Sequence, residues 1–354
     1  MSIQRAKLSK ELLGVLCEKY SPSYRFSDFD INKVYIDYTK EEKEKSRDVS
    51  SVISNNIVPN EFFICYTYKD ELFFLVSGDD DYTDDNIIKH QSDIIDLFIM
   101  QHEKSLRVNK SLSSNEFYNA LYTYEEAEYT GHTYTDLVDF IEPFSLYKID
   151  NNSRLLRNGT CAYAYYRLCE ARNSDFPWEK DTLNEIESVI FAESVNIPYH
   201  NILNSLSSRQ WTHIFLESYK MIEHLFSVVF LSDLDEETEI ETAKLAYIIE
   251  KNLKWRAPED KSIERIFNEI SDEFSDSELY RKIEKIKKKK VQDMRLDNWY
   301  YTEIRNQIAH FRIIHQNIEF SNKEWNTIIR FNFMIVKYLY EKYDRYLALE
   351  NLRR

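Results

Sequence analysis

The residues best suited to chemistry stand close together in residues 301–312, which read YTEIRNQIAHFR. Arg305, Asn306 and His310 lie there, with four residues between the arginine and the histidine. An imidazole titrates near neutral pH, so His310 can take a proton from a hydroxyl or return one to a leaving oxygen. A guanidinium stays charged and presents a fork of donors that matches phosphate, so Arg305 suits charge that builds up during transfer. Asn306, four residues before His310, shares its face on a helix and is placed to orient the ring or to bind phosphate. A purely structural pair, with Arg305 solvated and His310 capped or in the core, is the competing reading of the same residues.

The pattern resembles the signature of the HEPN superfamily (higher eukaryotes and prokaryotes nucleotide-binding). In that family an Arg, usually followed by a polar residue such as Asn, precedes a His by four to six positions late in a helical bundle. Ile-Arg-Asn at 304–306 and Ala-His-Phe at 309–311 match in kind, as does the long helix expected after them. The resemblance covers about residues 201–354 and leaves the first 200 untouched. It implies an endoribonuclease that needs neither metal nor other cofactor. Attack by the ribose 2′-OH would leave a 2′,3′-cyclic phosphate, with Arg305, Asn306 and His310 as the catalytic residues. It also implies a toxin-like or abortive-infection effector in antiviral defence, or alternatively a non-catalytic module for dimerisation or nucleotide and RNA binding. One geometric point bears on this. At 100° per residue Arg305 and His310 lie about 140° apart on a straight helix. A helix distortion, the reach of the long Arg side chain, or a second copy of the chain must bring them together. The resemblance favours the last, a homodimer through the C-terminal bundle.

Supporting groups are sought nearby. His213, Glu217, Lys220 and His224 share one side of the helix expected over 208–231, which corresponds to the family's opening helix; they lie opposite its apolar stripe and read as an ordinary polar face rather than a zinc site. In the family an acidic residue on this helix often approaches the site, which makes Glu217 or Glu223 a candidate to orient His310. Residues 281–290, RKIEKIKKKK, carry seven basic side chains in ten. Lys287, Lys288, Lys289 and Lys290, with Arg312, are candidate contacts for RNA phosphates; a solvated helix end is the equal alternative.

The elements that must position these groups fall into two parts. Pro198 marks a boundary between a mixed α/β region, residues 1–200, and an all-α bundle, residues 201–354. In the first part, residues 60–68 (NEFFICYTY) and 70–77 (DELFFLVS) form an aromatic, β-branched hairpin around Lys69. Residues 153–157 and 160–168 flank Asn158-Gly159, the dipeptide of a type I′ turn, and predict a second hairpin. Residues 84–103 read as a helix, and residues 182–194 as another with Asp181 as N-cap. In the second part, residues 208–231 place Trp211, Ile214, Phe215, Ile222, Phe226 and Val229 on one helical stripe. Helices follow at 237–254, 258–274, 277–290 and 297–312. A further, terminal helix opens on a capping box, Ser321 with Glu324, and runs to about Glu350.

Composition sets the bounds. Four glycines in 354 residues, Gly14, Gly78, Gly131 and Gly159, stand too far apart for a Rossmann fingerprint or a P-loop. Cys17, Cys65, Cys161 and Cys169 form no Cys-x-x-Cys pair and suit neither a disulfide framework nor a structural zinc. The acidic run at 79–85 (DDDYTDD) lacks the Gly and Glu of a calcium loop at the required places and reads as a solvated loop leading into a helix. The start lacks an apolar leader and no run of 18 apolar residues occurs, so the expected setting is cytoplasmic, without a membrane partner. Net charge is −15 and concentrated early: residues 1–200 hold 21 Lys and Arg against 35 Asp and Glu, and residues 201–354 hold 25 against 26. An acidic chain is a poor general binder of nucleic acid, and the uneven split suggests different jobs for the two parts. The N-terminal part offers no ordered catalytic set and is read as a sensing, docking or regulatory domain that takes an activating ligand or protein.

Overall fold

The computed structural model describes residues 13–20, 34–36, 45, 49–58, 61–69, 71–78, 81–90, 107–121, 129–133, 135–149, 159–171, 177–192, 194, 196–234, 240, 242–309 and 319–347. The chain divides into two compact units, Met1–Ser153 and Arg154–Arg354. The division falls ahead of Pro198, so the helices between the two points belong to the second unit.

In the first unit, β1 (Val49–Val58), β2 (Glu61–Tyr68), β3 (Glu71–Ser77), β4 (Ile87–Lys89) and β5 (Phe144–Ile149) form one sheet. Its order is β1-β2-β3-β5-β4 and every pairing is antiparallel. The expected hairpin around Lys69 is present: Tyr68 pairs with Glu71, and Lys69 adopts φ 48°, the left-handed conformation tight hairpin turns demand. Alternation sends Ile64, Tyr66, Phe73, Leu75 and Leu146 to one face, where they meet Leu13, Leu16, Phe117, Leu121 and Phe140. The opposite face carries an aromatic row, Phe63–Phe74–Tyr147–Tyr82, with ring centroids 5.0–5.6 Å apart. Short helices α1 (Ser114–Leu121) and α2 (Thr135–Val138) also belong to this unit, and residues 13–20 are helical. The acidic run leads into β4 rather than into a helix: Asp84 accepts from the amides of Asn86 and Ile87 and turns the chain into the strand. Residues 91–103 of the helix expected there lie outside the described residues.

The second unit is helical: α3 (Thr160–Ala171), α4 (Lys180–Ile190), α5 (Tyr199–Ser207), α6 (Trp211–Glu223), α7 (Phe226–Leu231), α8 (Thr242–Ile248), α9 (Glu259–Phe274), α10 (Glu278–Lys290), α11 (Leu296–Asn298), α12 (Asn306–Ala309) and α13 (Asn322–Leu347). The hairpin expected around Gly159 is instead the start of α3. Nine of its twelve residues are buried, so its apolar residues show no helical stripe in the sequence and its tyrosines imitate a strand. Gly159 serves packing here, since a Cβ would lie 2.9 Å from Cε1 of Tyr199. Asp181 does not cap α4. The helix begins at Lys180 without a side-chain cap, Oδ1 of Asn326 accepts from the Glu179 amide at 2.8 Å, and Asp181 pairs with Arg330 at 2.9 Å.

The helix expected over 208–231 breaks at His224–Leu225 into α6 and α7. Ser277 caps α10, and Ser321 with Glu324 forms the reciprocal capping box of α13. The terminal helix α13 packs against α4, α6, α7, α8 and α10 and is the spine of the unit. Its Trp325 and Phe331 join Trp211, Phe215, Phe267 and Tyr300 in an aromatic core with centroids 5.0–6.4 Å apart. A buried bond from Asn332 to Ser218, 2.7 Å, fixes α13 against α6. Among the described residues no helix is long and apolar enough to cross a membrane.

Candidate functional site

Over its described residues, 297–309, the expected helix is α-helical only at its two ends, α11 and α12. Trp299–Arg305 is a π-helix, bonded i→i+5, and α12 follows directly. Such widened turns recur at functional sites because they re-aim side chains that a regular helix would spread. Here Trp299, Tyr300 and Ile304 are driven into the core, while Tyr301 and Arg305 turn toward the first residues of α9. Tyr300 is fully buried between Phe215 and Phe267, 5.3 and 5.0 Å away, which anchors the wide turn.

Arg305 is the centre of the resulting cluster, with a side chain only 12% exposed. Nη2 lies 3.0 Å from Glu259 and 3.7 Å from Glu223, and Nη1 donates to Oδ1 of Asn306 at 2.8 Å. The guanidinium also lies 5.8 Å from the Tyr219 ring centre and 5.6 Å from that of Tyr301. Glu259 accepts a second bond from the Tyr301 hydroxyl at 3.0 Å. Two carboxylates, two phenol rings and an amide therefore fix one cation. Burial pushes the Glu223 carboxyl above the usual glutamate range; Arg305 opposes the shift and the like charge of Glu259 adds to it. The Tyr301 phenol is raised as well, by burial first and then by its bond to Glu259.

The expected residues thus separate. Arg305, Asn306 and Glu223 come together, while His310 and Arg312 lie outside the described residues. Glu217 does not join them. Helix α5 covers that side of α6, so Glu217 is buried and bonded to Asn201 at 2.8 Å, Asn204 at 3.3 Å and Lys220. Burial works to raise its carboxyl, but these hydrogen bonds outweigh it and hold the group below the usual range. Of the polar face expected of His213, Glu217, Lys220 and His224, the first three stay together around Glu217, with His213 at 3.7 Å. His213 reaches Ser208 at 3.0 Å, whereas His224 turns to the Tyr340 hydroxyl of α13 at 2.9 Å. No cluster suited to a metal ion occurs among the described residues.

The basic end of α10 needs a correction. Lys287 is 6% exposed and pairs with Glu284 at 3.0 Å, so it is not free for the phosphate contact expected of it. The amphipathic phase of α10 turns this position inward beside Ile283 and Ile286. Lys289 pairs with Glu324 at 3.7 Å, Lys290 donates to the Glu319 carbonyl at 2.6 Å, and Lys288 faces solvent. Glu259, which holds Arg305, had no signal in the sequence beyond its place at a helix start after Pro258. Nothing in local spacing joins it to a residue 46 positions later. Comparisons of the chain with protein families, with curated proteins and with solved structures return no match.

Proposed function

We propose that the second unit is a metal-independent endoribonuclease whose centre is Arg305, Asn306 and His310. The observation that carries the reading is the Arg305 cluster. In the one segment with an Arg-Asn-x-x-x-His pattern, a π-turn presents a nearly buried guanidinium beside Asn306. In the proposed reaction a histidine accepts the 2′-OH proton and the 2′-oxygen attacks phosphorus. The bond to the 5′-oxygen breaks and a histidine protonates that oxygen. Arg305 stabilises the charge on the non-bridging oxygens. Two chains related by a two-fold axis would supply both histidines to one groove. The first unit is proposed as a regulatory domain, and the role as a toxin-like or antiviral effector belongs to the same reading.

One observation favours the second reading, a binding module without catalysis. Arg305 is already engaged by Glu259, Glu223 and Asn306, and a phosphate must compete with those partners. The deciding experiment is incubation of the purified chain with mixed RNAs and with DNA, with and without EDTA. The expected result is RNA cleavage unaffected by EDTA, leaving 2′,3′-cyclic phosphate ends. EDTA-sensitive cleavage leaving 3′-hydroxyl ends overturns the mechanism, and intact RNA overturns the enzyme.

A further inference from the structure

Helix α8 does not end as helices ordinarily do. It widens into a second π-helix, Ile249–Leu253, and stops at Lys254, which adopts φ 56° and ψ 21°. That left-handed stop is the usual place of Gly or Asn, and a lysine there is held against its own backbone preference. The distorted end lines an open cleft of about 460 Å³, bordered by Tyr247, Glu250, Lys251, Lys254 and Arg256. Three cations thus face one carboxylate in a chain whose net charge is −15, and Glu250 is itself bonded to Ser227 at 2.6 Å.

Aromatic faces stand among these charges. Tyr247, which lines the cleft, is 48% exposed, and Trp255, next in sequence to the rim residues Lys254 and Arg256 but not itself in the lining, is 36% exposed. Lys251 lies 5.1 Å from the Tyr247 ring centre and donates to its hydroxyl at 3.0 Å, which steadies that ring in the open. A surface of exposed rings and flexible cations with a nucleotide-sized hollow is the composition that holds unstacked bases and the phosphates between them. It does not fit duplex RNA, whose bases are stacked away from any ring. The position is also informative. Residues 254–258 link the rim of the cleft in sequence to Glu259, the partner of Arg305.

We infer that this cleft is a single-stranded RNA-binding site, with Lys251, Lys254 and Arg256 on phosphates and Tyr247 and Trp255 stacking on bases. It leads the strand toward Arg305, and its ligand class rests on the ribonuclease reading.

The test is fluorescence anisotropy of the full chain with a labelled single-stranded 2′-O-methyl RNA, which has no 2′-OH to react. Binding is therefore read apart from cleavage. Removing the three cations together (Lys251→Ala, Lys254→Ala, Arg256→Ala) should weaken binding about 100-fold at about 0.1 M salt and flatten the salt dependence by about 2 in log–log slope. Trp255→Ala should weaken it about 10-fold while leaving that slope unchanged. The inference is overturned if the wild-type chain does not bind, or if the triple variant binds with wild-type affinity and slope. It is equally overturned if the triple variant changes only the sedimentation of the protein, which would make the cleft a contact for a second copy. Binding lost with the cleft residues, together with unmodified RNA left intact, would sink the ribonuclease reading alone.

Discussion

Replacing Arg305 by Ala separates its structural from its chemical role, because the structure bounds the first. The side chain gives up a charged pair with Glu259 at 3.0 Å, a weaker one with Glu223 at 3.7 Å, a bond to Asn306 and the faces of Tyr219 and Tyr301. Charged hydrogen bonds contribute about 1.5–3 kcal/mol when well buried. Glu259 and Glu223 are 34% and 40% exposed, so solvent screening reduces each pair to about 1 kcal/mol or less. A net loss of about 1–2 kcal/mol follows, which lowers Tm by about 2–8 °C in a unit of this size. Such a protein remains folded at room temperature. Loss of a cation that stabilises the transition state costs far more in rate, about 100- to 1000-fold. The assay pairs thermal unfolding followed by circular dichroism with initial rates on a fluorescent RNA. Glu259→Gln is the control: it costs comparable stability, but Arg305 retains Asn306 and Glu223 and most of the rate survives. Wild-type cleavage by Arg305→Ala would refute the catalytic assignment. Equal losses of rate in the two variants would reduce Arg305 to a structural residue.

Three further outcomes are expected. Because the folded state raises the Glu223 carboxyl above its unfolded value, folding binds a proton more tightly there. Stability is therefore lost as pH rises from about the ordinary glutamate range through the raised folded value. Glu223→Gln should match the wild-type urea midpoint near about pH 4 and exceed it, by less than about 1 kcal/mol, near about pH 7.5; a lower midpoint at the higher pH would show that attraction to Arg305 dominates. Gly159→Ala should destabilise by about 1–3 kcal/mol, since the new methyl meets a Tyr199 ring tied by its hydroxyl to the Ser194 carbonyl at 3.1 Å. An unchanged Tm would show that the ring yields. Sedimentation of the active protein should give twice the chain mass of 42.7 kDa, and full activity in a strict monomer would exclude a shared groove.

The sequence by itself determined the features that local physics controls. The β2–β3 hairpin, the Ser321–Glu324 box and the helices expected at 258–274 and 277–290 follow from turn chemistry, capping and helical periodicity. The segment holding Arg305 and Asn306 was legible for the same reason, as a short spacing of chemically apt residues. Only the tertiary structure decided the rest. Helix α3 is buried nearly all round, which leaves no polar face to set a period, and Gly159 answers to a ring 40 positions away rather than to a turn. The π-turns at 249–253 and 299–305 leave no pattern in the sequence, since packing of Tyr300 between Phe215 and Phe267 selects one of them over a regular helix. Glu217 and Glu223 look equivalent on one helix, yet α5 covers the first and leaves the second beside Arg305. Glu259 reaches that arginine from a different helix altogether. Short-range periodicity specifies which residues form a helix and which side is apolar. Which neighbour covers each remaining side is set by the packing of the whole unit.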